Sequence, residues 1–428
     1  MSSVAPVETR APAVCPASAT HPLVALAGIA AFVLGTAGAP SINRAFVAVL
    51  PPGNSPVAGT AATIMGFTAL AIFALDLGWQ HTHRRASTGL DFLADDPSLS
   101  RTLTKWLGLC ATLAAIGALY WLLPEYATPF YGRYFALLRV LVPLWLVAAL
   151  PYLYYVDRHQ REPRDAYWQI GAALRGRAGE ADRAALGQHA LGWLIKAFFL
   201  PLMFTYFCND LERLVLHGPH DFGSFRVGYD FAYDYLYLID VGLVSVGYLA
   251  ALRLTDTHLR SAEPTMFGWA VALLCYEPFW SLIGSRYLAY GTAYPWGTWF
   301  ASQPVLYAAW GSVILLLTVI YVWATVCFGA RFSNLTHRGI ITHGPYRYSK
   351  HPAYLAKNLS WWLISVPFLS HDSPAEALRH CALLGIVNAV YWLRAVTEER
   401  HLSADPDYVR YAHWISTRGL YARLRAAR

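Results

Sequence analysis

The chain is a succession of apolar runs, most of them long enough to cross a bilayer, separated by short polar loops. A bilayer core takes about 20 residues of α-helix per crossing. Inside it every backbone N–H and C=O needs a partner within the chain, which favours helices. Ten runs stand at roughly 23–40, 57–80, 104–123, 134–155, 190–208, 232–252, 266–284, 304–328, 359–370 and 380–397. The first is interrupted by glycines and is expected to end at Pro40. The ninth is short, carries Pro367 and is expected to start inside the 350s. The fold class that follows is all-α: a polytopic integral membrane protein of about ten transmembrane helices. Of 428 residues, 56% are hydrophobic and 14% charged, well under the roughly 25% of soluble domains, so no large soluble domain fits between the runs.

The net charge of +7 does not point to nucleic acid, because the cations form no arm or stripe. They lie in alternate loops: after the second, fourth, sixth and eighth runs and in the C-terminal tail. The opposite loops hold only Arg44, Arg133, Arg213, Arg226, Arg286 and Arg379. The positive-inside rule then places both termini on the cytoplasmic side. Residues 1–20, with Arg10 as their one cation, read as a disordered tail; 21–325 as a multi-span region with a possible substrate cavity; and 326–428 as a separate membrane core with a C-terminal lid. The loop 156–189 alternates signs and reads as a solvated helix on the membrane surface. The six cysteines form no CxxC and no metal spacing, and read as small packing residues.

Residues 343–358, HGPYRYSKHPAYLAKN, concentrate glycine, proline, histidine, tyrosine and cations as no other stretch does. Gly344-Pro345 is a turn signal, and Pro352 restarts a helix at its first turn. The N–H groups of that helix start, beside Arg347, Lys350 and His351, suit an anionic group. Tyr346, Tyr348 and Tyr354 offer faces to a planar base or a cation. Glu398 and Glu399 close the following run. Carboxylates at a helix C-terminus oppose its dipole and require a cation, with Arg347, Lys350, Arg394, Arg400 or a cationic ligand as candidates.

The string HGPYRYSKHPAY, a helical hairpin of about 40 residues, EERHL and the tail DYVRYAHW together resemble the C-terminal core of the isoprenylcysteine carboxyl methyltransferase superfamily. That superfamily includes membrane phospholipid methyltransferases, and the resemblance covers roughly 326–421. It implies methyl transfer from S-adenosylmethionine to a membrane-embedded lipid or lipidated acceptor. It also implies a cofactor pocket built by Gly344, Pro345, Tyr346, His351, Tyr354, Glu398 and Glu399, with Tyr408 and Tyr411 in a lid. Arg347 and Lys350 join this set through their charge. His351 and Glu399 are the candidate catalytic bases. Two positions depart from the pattern: Lys350 stands in place of an arginine, and Ala356 in place of a glycine.

Other readings remain beside this one. Membrane sterol reductases have a similar C-terminal core and use NADPH there, but typically carry an Arg-Asp-Glu type segment and a cysteine before the tail. This chain has Thr397-Glu398-Glu399-Arg400 and no cysteine after Cys381. A transporter is suggested by Asp76, Arg139, Lys196, Asp240 and Glu277 within the runs; the last four could equally pair with one another or line the polar end of a lipid-substrate cavity. Glu277, before Pro278, and Arg394 are candidate substrate-cavity residues. No metal is expected, since His81 and His83, and His217 and His220, lack further histidines near them. No GxGxxG, Walker or GxSxG motif is present.

Overall fold

Proline and a capping side chain set where most of the helices begin. The computed structural model describes residues 14–426 except 52, 178–181, 217–221, 292–293 and 372. Its long elements are α1 (Pro22–Val49), α2 (Pro56–Gly78), α3 (Leu99–Leu122), α4 (Gly132–Arg158), the short α5 (Ala166–Leu174), α6 (Arg183–Leu211) and α7 (Phe225–Leu249). After β1 (Ser261–Ala262) come the short α8 (Met266–Leu273), α9 (Ser285–Tyr287) and α10 (Trp296–Trp299), then α11 (Pro304–Cys327) and β2 (Thr336–His337). The chain closes with α12 (Pro352–Ser365), α13 (Pro374–Leu402), α14 (Pro406–Arg418) and α15 (Leu420–Ala426). Proline opens α1, α2, α11, α12, α13 and α14, where its missing N–H removes no intrahelical bond. Ser55, Ser98, Asp182, Ser373 and Asp405 accept hydrogen bonds from first-turn amides at their helix starts, satisfying donors the helix leaves free.

Seven helical segments among the described residues are long and apolar enough to cross a membrane: α1 to α4, α6, α11 and α13. Their outer faces carry exposed Leu70, Trp121, Leu144, Val147 and Leu316, an apolar surface that water would not tolerate at this extent. The chain is therefore a multi-pass membrane protein. The other three runs are helical too, and the ninth starts inside the 350s as expected. α7 is continuous but carries Arg226, Asp230, Asp234 and Asp240. The run 266–284 is broken after α8 and resumes as a π-helical turn, Trp280–Gly284. The ninth run starts at Pro352 and ends at Ser365. α1 does not stop at Pro40; it continues to Val49, so the proline removes one backbone bond without ending the helix.

The main core lies where α1, α2, α6, α7 and α11 meet, around Phe32, Ile64, Phe207, Leu238 and Val326. A second contact forms between α3 and α5. A Cβ on Gly108 would stand 1.9 Å from the Tyr167 carbonyl oxygen, and one on Gly171 1.9 Å from that of Thr104. Only glycine permits this approach of two backbones. The 156–189 loop is thus not a freely solvated surface helix: α5 packs on α3, and Asp157 and Asp165 turn inward, while Arg161, Glu162, Arg175 and Arg177 stay exposed. Lys105 Nζ meets Asp157 at 2.8 Å and Asp165 at 3.1 Å, and bonds Gln160 at 2.8 Å. A buried charge of this kind needs such partners.

Asp76, Arg139, Lys196, Asp240 and Glu277, the ionisable groups singled out within the runs, form no ion pair with one another among the described residues. Asp76 faces Arg331 at 3.5 Å, Asp240 accepts from Tyr321 and Thr325, Lys196 lies over the Trp193 ring, and Arg139 is exposed. His217 and His220 lie outside the described residues, as do residues 1–13 of the expected disordered tail. Residues 16–20 depart from that expectation and run along 340–343. Ala19 N donates to Ile340 O at 2.8 Å, Thr342 N to Ser18 Oγ at 3.1 Å and Thr342 Oγ1 to Pro16 O at 3.1 Å.

Gly108→Ala will lower stability by about 1–3 kcal/mol through overpacking, read as a lower Tm in detergent. Gly117→Ala, where the added Cβ meets nothing within 4 Å, will not. A second expectation concerns His258 in the loop after α7. Burial, then Arg253, pushes its ring down to about 3 from the usual 6.5. The unfolded chain therefore binds this proton between those values while the folded chain does not, and stability falls as pH drops from 6.5 towards 3. Melting curves at pH 7.5 and 5.0 will show a smaller loss in His258→Gln than in the parent chain.

Candidate functional site

The site grows from a segment that sequence reasoning treated only as loop charge, residues 331–342. Its anchor is Arg338, which is buried. Nε donates to Thr257 O at 2.7 Å; Nη1 donates to Gly247 O at 2.7 Å and Phe332 O at 3.0 Å; Nη2 also reaches Ala250 O. Burial, then Arg331, brings its pKa down to about 9. Two residues of this segment, Thr336 and His337, pair antiparallel with Ala262 and Ser261. Asn334 next joins three elements: its Nδ2 donates to Tyr248 Oη at 2.7 Å and Tyr276 Oη at 3.1 Å, and its Oδ1 accepts from Arg394 Nη2 at 3.1 Å.

Over this floor stand α12 and α13. The turn before α12 requires Gly344, whose φ is +61° and whose Cβ would lie 2.5 Å from Cys327 Sγ. Any side chain there would push the turn off α11. His351 and Tyr354 then stack, rings parallel within 2° and 5.5 Å apart. Both meet the carboxylate pair on α13. Lys350 Nζ donates to Glu399 at 2.5 Å, and His351 Nε2 lies 2.9 Å from the other Glu399 oxygen. Tyr354 donates to Glu398, and His351 Nδ1 is 3.8 Å from that carboxylate. Arg394, one turn before Glu398, lies within 5.5 Å of the ring centroids of Tyr276, Tyr354 and Tyr391. Its Nε is buried with no hydrogen-bond partner.

These elements enclose a cleft of about 180 Å³. α14 closes one side: Tyr411 donates to Tyr346 O at 2.6 Å and Ser349 O at 3.2 Å. Tyr408 Oη is buried without a partner. Burial raises the pKa of Tyr346, Tyr408 and Tyr411, so each remains a neutral hydroxyl. Of the residues singled out from sequence, Tyr346, Lys350, His351, Tyr354, Arg394, Glu398, Tyr408 and Tyr411 line the cleft. Gly344 and Pro345 shape the turn behind it. Glu399 does not reach the lining and instead holds Lys350 and His351. Arg347 is exposed and outside the cleft. Glu277 is not brought to it either; it accepts from Ser281 N at 3.1 Å.

Sequence reasoning missed Asn334, Tyr276, Tyr391 and Lys357, which also line the cleft. Lys357 was legible as a cation one turn after Tyr354. Its ammonium lies 5.1 Å from the Tyr321 ring centroid and 5.5 Å from that of Trp361. Asn334 carried no signal, because a single amide in a loop has no periodicity to read. No family model matches the chain, and no curated protein or solved structure matches it.

The Lys350–Glu399 contact is testable. In a double-mutant cycle with Lys350→Met and Glu399→Leu, chemical unfolding will give a coupling of about 0.5–2 kcal/mol, modest because both groups are part-exposed.

Proposed function

We propose that the chain is an integral membrane methyltransferase that moves a methyl group from S-adenosylmethionine to a lipid-soluble acceptor. The observation that carries this reading is the pairing of two unused buried donors, Arg394 Nε and Tyr408 Oη, with a carboxylate and tyrosine faces in one cleft. A zwitterionic cofactor with a planar base fits that set. Its carboxylate suits Arg394 and Tyr408, its ammonium and sulfonium suit Glu398, and its adenine suits the Tyr354, Tyr276 or Tyr391 faces. When bound, S-adenosylmethionine supplies an electrophilic methyl group to an in-line nucleophile.

The protein's own part is to position and to exclude water. Tyr354 fixes Glu398, and the α14 tyrosines cover the cleft. Glu399 accepts the His351 Nε2 proton and so orients the ring, leaving Nδ1 free. A carboxylate acceptor needs no base. An amine or hydroxyl acceptor needs one, and His351 Nδ1 is the group at the lining that can take the proton, with Glu399 as its positioning residue. In this reading α7, the broken α8–α9 run and α12 complete ten crossings, and the charge of the alternate loops supports a cytoplasmic side for the cleft.

NADPH is the alternative cofactor. It carries several phosphate charges, whereas most cations of the cleft are engaged: Arg338 with carbonyls, Arg331 with Asp76 and Asp256, Lys350 with Glu399 and Arg394 in part with Asn334, which leaves Lys357 beside its aromatic rings. Calorimetry on detergent-purified protein will detect saturable S-adenosylhomocysteine binding, weakened about tenfold or more in Glu398→Ala and Arg394→Met, as expected for loss of a charge-assisted bond. NADPH binding in place of S-adenosylhomocysteine would move the chain to the reductase class. Binding of neither, with solute flux in liposomes, would overturn both.

A further inference from the structure

A second and larger cavity, about 990 Å³, lies among α3, α4, α5, α6 and the loop after α7. It shares no lining residue with the cleft described above. We propose that it binds an anionic amphiphile of the bilayer, with the chain along α3 and α4 and the acidic head against Lys196, Arg253 and His258. The proposal is independent of the methyltransferase reading.

Three observations carry it. The first is Lys196, near the middle of α6 and within a membrane-spanning segment. Its ammonium has the Trp193 ring at 5.2 Å and no ion pair or hydrogen bond among the described residues. A cation at such depth is costly without a counter-charge, and Lys196 lines the cavity. The second is which charges of the wall are already met: Lys105 pairs with Asp157 and Asp165, and Arg260 with Asp256 outside it. Asp182 caps α6. Arg253 donates to the Thr88 carbonyl at 3.0 Å and meets no carboxylate among the described residues. His258 Nδ1 is buried with no partner. Lys196 and Arg253 therefore stand without a counter-charge among the described residues, and the neutral His258 ring adds an unused Nδ1 beside them.

The third observation concerns access. The same wall has apolar residues from α3 and α4: Leu109, Trp145, Ala149 and Leu153. Trp145 is 42% exposed, and Ala148 beside it is exposed. Both stand on α4, the segment with the smallest buried share of the seven. The cavity thus opens on the helix face that meets lipid, a route for a molecule already in the bilayer. A free inorganic anion would use the charges but leave the apolar wall unfilled. A zwitterionic lipid would fill the wall and add no net negative charge.

Native mass spectrometry on the delipidated full chain in detergent tests this, with phosphatidylglycerol, phosphatidylcholine and inorganic phosphate as probes. Phosphatidylglycerol will be retained over phosphatidylcholine, and inorganic phosphate will not displace it. Lys196→Gln will weaken retention about tenfold, the size of one charge-assisted contact. Ala148→Phe, placed at the exposed mouth where the fold tolerates bulk, will weaken it without touching a charge. Arg253→Gln provides a second head variant should Lys196→Gln fail to give monodisperse protein. Equal retention of the two lipids overturns the proposal, as does unchanged retention in the head variants and in Ala148→Phe. Displacement by inorganic phosphate reassigns the cavity to a soluble anion and overturns it too.

Discussion

A single guanidinium, that of Arg338, ties together the parts that make the cleft. Its donors reach carbonyls of Gly247 and Ala250 at the end of α7, Thr257 in the following loop and Phe332 before β2. No carboxylate among the described residues pairs with it. The charge is met by carbonyl dipoles, two of them at a helix C-terminus where a cation is favoured. Removing this side chain would leave several buried acceptors without a donor, each a loss of about 1–3 kcal/mol. The floor that presents Asn334, and through it Arg394, depends on this one fan of bonds.

The carboxylates of α13 show how neighbouring residues divide a task. Glu399 faces Lys350 and His351, so the Lys350 ammonium, with the imidazole beside it, answers its position against the helix dipole. Glu398 faces inward to Tyr354 and Arg394 and remains at the cleft. Lysine suits position 350 because a single carboxylate oxygen receives it as a point charge, with no fork geometry to satisfy. An arginine is not required for that contact.

Much of this was legible in the chain. Helix starts at Pro22, Pro56 and Pro374 follow from proline and a preceding cap, that at Pro304 from proline alone, and the union of 343–358 with Glu398 and Glu399 follows from charge and spacing. Other features were not legible for physical reasons. The alternating charges of 156–165 look solvated until Gly108 and Gly171 bring two backbones together and Lys105 draws the acids inward. Tyr276 and Asn334 reach the cleft by tertiary contact from segments with no periodic signal. Pro40 looked like an end, yet one lost backbone bond does not stop a helix that packs along α2.

The strap formed by residues 16–20 has a consequence for how the molecule assembles. Ser18 and Thr342 are 324 residues apart in the chain and adjacent in space. At a synthesis rate of about 5–20 residues per second, on the order of 20–60 s separates the emergence of these partners. Throughout that interval the strap has no surface to lie on, while the helices between are inserted in turn. Closure of this edge of the fold is thus a late event, set by the ribosome's pace rather than by local chain search.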